Sequence, residues 1–199
     1  MGANAMKTIS VYQFNELSAK AQETAIENYR NKHYDQEVFW ASEMVDSLKG
    51  LFKVCDGIKL KDYSLGDQRS SIDVEFSQDE AGNLSGKRAF AWIENNLLSN
   101  IRIPFYGDKR KELRKYGRSY YAGNIKPCPF TGYCFDENLL ESLLNDIKDG
   151  TDLKTAFEGL AQVYEKQFNA EQDYQNSDEY IKEQLTDNDY DFTLEGHRI

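Results

Sequence analysis

Hydrophobic and polar residues follow two periods along this chain. Between residues 58 and 77 the period is two. In "IKLKDYSL" Ile58 and Leu60 alternate with Lys59 and Lys61, and in "SIDVEF" Ile72, Val74 and Phe76 alternate with Asp73 and Glu75. Strict alternation marks strands with one wet face, and the intervening Gly66-Asp67 predicts a turn, so this region reads as an antiparallel hairpin. Lys59 and Lys61 would face Asp73 and Glu75 across it.

Elsewhere the period is helical. Ala21, Ala25 and Tyr29 recur every fourth residue beside Ile26, and Ser18 is placed to cap that helix with its hydroxyl. Val38, Phe39, Met44, Val45, Leu48, Leu51 and Phe52 form a broad stripe over 36–52. "RAFAWIENNLLS" (88–99) continues in the same way. Leu139, Leu140, Leu143, Leu144 and Ile147 predict a helix from Phe135 that stops before Gly150. Thr151 or Asp152 can cap a longer one through Gln175. Ser177 opens another, with Asp178 and Glu179 at its positive end. "MKTISVYQF" (6–14) and the closing "YDFTLEGHRI" read as short strands, and 100–130 is the least regular stretch. No repeat of solenoid length is present. The pattern as a whole predicts an α+β fold, a small antiparallel sheet packed with several α-helices, in one domain over 6–199. The opening "MGANAM" reads as a cloning remnant ahead of Met6.

Composition narrows the class. Of 199 residues 13% are aromatic and only three are proline, which argues for a packed core rather than disorder. No apolar run approaches the ~20 residues of a membrane span, and no leader pattern opens the chain, so a soluble protein of the bacterial cytoplasm is expected. Cys55, Cys128 and Cys134 are odd in number and lack a C-x-x-C spacing, which points to reduced thiols. A redox pair of Cys128 and Cys134 is the weaker alternative.

Charge is segregated. The chain has a formal net charge of −10; residues 171–199 hold nine acids and two bases, and residues 101–126 hold eight bases and two acids. The basic stretch contains Lys109, Arg110, Lys111, Arg114, Lys115 and Arg118. Three of its arginines are four apart, and Tyr116, Tyr120 and Tyr121 follow. Guanidiniums pair with phosphate or carboxylate, and tyrosines stack on bases. In so acidic a protein the reading that weighs most is a solvated or internally neutralising face. Next come a partner surface, with Lys109, Arg110, Lys111, Arg114, Lys115, Arg118 and Tyr120 as its residues, and then a nucleic-acid arm.

Catalytic patterns are sparse. The two histidines, His33 and His197, stand at opposite ends of the sequence, so a Ser or Cys triad would need them to meet a nucleophile in space. "GNLSGKR" lacks the hydroxyl residue of a phosphate loop. Asp187, Asp189 and Asp191 alternate and could hold a divalent cation, but solvated charge is the preferred account. No cofactor, no metal and no catalytic residues are assigned.

Three blocks of sequence carry a resemblance. "FNELSAKAQETAIENYR", "TGYCFDENLLESLL" and "SDEYIKEQLTDNDYDFTLEGHRI" resemble, in this order, blocks of small phage and prophage proteins often labelled antitoxins of toxin–antitoxin stability systems. Ser177, Asp178, Glu179, Phe192, Thr193, Gly196 and Arg198 carry the last of them. The resemblance implies a phage or prophage setting and a protein partner such as a toxin or defence factor. It supplies no catalytic residues and does not reach the basic segment. The expectation is a non-enzymatic binding protein whose acidic residues Asp178, Glu179, Asp187, Asp189 and Asp191 meet the partner. The alternative is nucleic-acid binding through 109–121.

Overall fold

A computed structural model describes residues 10–33, 38–66, 69–102 and 125–199. The fold is α+β, with a two-stranded antiparallel sheet and α-helices around it. Two compact units divide the chain, one formed by Met1–Val38 with Ala170–Ile199, the other by Phe39–Asn169. Each has its own apolar core.

The larger unit starts at α1's successor in the chain, α2 (Ala41–Val54), where α1 is Ala19–His33 of the smaller unit. The stripe on α2 buries Met44, Leu48 and Leu51 completely, but the helix begins later than its apolar pattern suggests. Phe39 precedes it in a turn and is 67% exposed, so it is no part of the buried stripe. The hairpin forms as expected from β1 (Ile58–Ser64) and β2 (Ser71–Phe76). A register irregularity between Leu60 and Asp62 breaks the alternation of β1, which leaves most of that strand exposed. Lys61 reaches Asp73 at 2.8 Å, and Lys59 stands opposite Glu75.

Helix α3 (Gly86–Ile93) continues through a π turn (Glu94–Leu98) and a last turn (Ser99–Ile101). Then come α4 (Phe135–Lys148), α5 (Leu153–Glu158) and α6 (Leu160–Gln175). Asp152 caps α5 by accepting from the Thr155 amide at 3.0 Å and its hydroxyl at 2.9 Å. Instead of one long helix, the chain breaks at Gly159. The rings of Phe76, Trp92 and Phe157 meet edge-on at 5.6–6.2 Å and join sheet to helices.

One buried carboxylate organises this unit. Asp136, fully buried in the first turn of α4, accepts from the amides of Phe130 (2.8 Å), Thr131 (2.8 Å) and Gly132 (3.2 Å), and from the Thr131 hydroxyl (3.1 Å). That hydroxyl also meets the buried Ser47 of α2 at 2.9 Å. A charge can be buried at this cost only when its oxygens are saturated in this way.

In the smaller unit Ser18 accepts the Ala21 amide at 3.3 Å and starts α1. Ser177 accepts the Tyr180 amide at 3.2 Å and starts α7 (Asp178–Asp187). Ala21, Ala25 and Ile26 of α1 pack with Ile181 and Leu185 of α7, Phe14, Leu17 and Phe192. Neither expected terminal strand extends beyond isolated bridges among the described residues. Tyr12 and Phe192 exchange backbone hydrogen bonds at 3.0 and 2.9 Å. Beyond Phe192 the chain turns back on itself: Gly196 donates to Thr193 O, Thr193 to His197 O, and Phe192 bridges Arg198. A turn that short leaves no length for a ladder.

Candidate functional site

The sequence separates His33 from His197 by most of its length; the fold brings both to one cleft. Its volume is about 460 Å³, it lies within the smaller unit, and the end of α1 and the 192–199 turn line it. Such a volume is in the range of small-molecule sites. Helical spacing delivers Ala25, Asn28, Tyr29, Lys32 and His33 from α1, and Leu185 and Phe192 add an apolar floor. The turn at Gly196 presents His197 and Arg198.

Polar contacts hold several of these groups in place. Asn28 Nδ2 lies 3.2 Å from His197 Nδ1; with the amide donating, a neutral His197 ring carries its proton on Nε2. The Arg198 guanidinium sits 3.4 Å from the centre of the Tyr190 ring. Tyr29 stacks on His33 with centroids 4.2 Å apart. Burial pushes the Tyr29 phenol above its ordinary range, with Tyr180 and Tyr190 adding and Arg198 opposing, so its hydroxyl stays a donor. Both ring nitrogens of His33 are shielded from solvent, although the residue as a whole is half-buried, and neither has a hydrogen-bond partner among the described residues.

The cleft was not read from the sequence as a site. The available signal was weak: the histidines, plus a Lys-His pair and a His-Arg pair at the two ends. The packing of the C-terminal turn on α1 brings them to one cleft.

The acidic residues are exposed as a group but lie in two clusters. Asp178 and Glu179 begin α7; Asp187 ends it, and Asp189 and Asp191 follow. A helix of this length separates the clusters by roughly 15 Å. Asp178 pairs with Arg30 at 2.5 Å, and Asp191 accepts from Gln13 at 3.1 Å. Asp189 occupies the left-handed region at φ 49°. Asp187, Asp189 and Asp191 do not converge, and no group of three or more His, Cys, Asp or Glu among the described residues is placed to hold a metal ion. Lys109, Arg110, Lys111, Arg114, Lys115, Arg118 and Tyr120 lie outside the described residues.

The thiols are free. Cys128 and Cys134 lie close together at the entry to α4, with Cys128 Sγ 3.9 Å from Glu137 Oε1. Desolvation, then Glu137 and Cys134, push the Cys128 thiol up, against the thiolate that redox exchange needs.

No helix among the described residues is long and apolar enough to cross a membrane. No family model matches the chain, and no curated protein or solved structure is significantly similar to it.

Proposed function

We propose that the protein is a non-enzymatic binding protein of a phage or prophage setting that sequesters a basic protein partner, a toxin or defence factor, in the bacterial cytoplasm. One observation carries the reading: Asp178, Glu179, Asp187, Asp189 and Asp191 are all exposed, and of these only Asp178 has an ion pair among the described residues. Carboxylates left open on one unit raise the local negative potential. They steer a cationic surface toward it and disfavour nucleic acid there. The resemblance of the three sequence blocks supplies the setting.

The test is capture from a lysate of prophage-carrying cells at low salt, beside a variant with Glu179→Gln, Asp187→Asn, Asp189→Asn and Asp191→Asn. The expected result is one basic protein, held in stoichiometric amount, released by salt and not held by the variant. Equal capture by both proteins, or none by either, overturns the proposal.

A further inference from the structure

The cleft between α1 and the C-terminal turn has a charge that its surroundings do not predict. Residues 171–199 hold nine acids and two bases, yet one of those bases, Arg198, lines the cleft with Lys32, His33 and His197. No carboxylate side chain is among the described residues that line it. Neither Lys32 nor Arg198 has an ion pair among the described residues. Asn28 and Tyr29 add further polar groups.

Cations gathered with no carboxylate side chain among the described residues of the lining repel one another. An anion in the cleft would relieve that repulsion. The donors differ in kind: a planar guanidinium fork, an ammonium, and the imidazole N–H of His197. Together they offer more than the two oxygens of one carboxylate can accept, and they suit a phosphoryl group with three or four acceptor oxygens. At about 460 Å³ the cleft is several times larger than a phosphate ion, and Ala25, Leu185 and Phe192 line the remainder. That floor suits an apolar or aromatic group next to the phosphate.

We propose that this cleft binds a phosphorylated small molecule, with Lys32, Arg198 and His197 around the phosphoryl oxygens and the organic part against Leu185 and Phe192. Asn28 is a positioning residue, holding His197 through its Nδ1. The proposal uses no residue of the acidic surface, so either can fail alone.

Calorimetric titration with phenyl phosphate, inorganic phosphate and phenol tests it. Any purification tag belongs at the N-terminus, because Ile199 lines the cleft. Phenyl phosphate should bind saturably and more tightly than inorganic phosphate, and phenol should not bind. Arg198→Ala and Lys32→Ala should each weaken phenyl phosphate about tenfold, the loss expected for one charge-assisted contact. Lys20→Ala, on the same helix but outside the cleft, should leave it unchanged. Lys32 is exposed, so its variant keeps the test valid if Arg198→Ala unfolds. No saturable binding up to about 10 mM phenyl phosphate, weaker than any useful affinity, overturns the proposal. So does an equal loss in Lys20→Ala, which would mean diffuse attraction to surface cations.

Discussion

A Cβ placed on Gly196 would stand 2.0 Å from the carbonyl oxygen of Ala21. The turn that carries His197 and Arg198 is therefore in direct backbone contact with α1, and Gly196 also needs a φ of +87°. Gly196→Ala meets both penalties. A non-glycine residue in that region costs about 1–3 kcal/mol, and overpacking adds about 1–3 kcal/mol. The expected outcome is a loss of at least about 2 kcal/mol, read as a lower urea midpoint. An unchanged midpoint would show that the turn lifts freely from α1.

Asp136 should be the most sensitive carboxylate in the larger unit. Asp136→Ala removes the shared acceptor of three amides and a hydroxyl and leaves a void at a fully buried position. A loss of about 1–3 kcal/mol is expected for each donor that stays buried without a partner. Asp136→Asn keeps the shape and one acceptor oxygen and should lose less. Thermal melts of the two variants, at about 2–4 °C per kcal/mol for a chain of this size, give the order.

The Asp152 cap predicts a pH dependence. The Thr155 amide, first among the causes, holds this carboxyl below its ordinary 3.8. A carboxyl lowered by folding contributes stability that is complete above 3.8 and is lost as pH falls through the lower folded value. Asp152→Ala should cost about 1 kcal/mol at neutral pH. The gap between wild type and variant should stay level down to about pH 4 and close below it. A gap that widens on acidification would contradict this cap.

Thiol reactivity should follow burial. Burial, helped by Asp56, pushes the Cys55 thiol up to about 12, whereas Cys134 is exposed. A disulfide reagent at neutral pH should label Cys134 first and Cys128 more slowly. Cys55 should react only on unfolding. Mass spectrometry of partly labelled protein gives the sequence of events, and early labelling of Cys55 would show that the larger core opens readily.

Local rules made much of the fold legible. Ser18, Asp152 and Ser177 cap the helices they precede, because a cap is decided within three residues. The hairpin followed from alternation, though the irregularity near Lys61 did not, since a shift of register leaves no mark in the side-chain pattern. Phe39 looked like part of a buried stripe because composition cannot tell a helix from the turn before it. The cleft was illegible for a different reason. His33 and His197 share a cleft only when the two ends of the smaller unit pack together, as where Tyr12 pairs with Phe192, 180 residues apart in sequence. Nothing local in either segment announces that pairing.

That pairing also orders events during synthesis. Everything the larger unit packs together lies between Phe39 and Asn169, so its parts have all been made before Ile181, Leu185 and Phe192 emerge from the ribosome. The smaller unit has no such freedom. Tyr12, Phe14 and α1 are translated before the larger unit, yet Ile181, Leu185 and Phe192, which pack against them, are translated after it. Helix α1 must therefore wait for its cover while the whole of the larger unit is made. A stalled or prematurely terminated chain would display Ala21, Ala25 and Ile26 to the chaperones and proteases that patrol such surfaces.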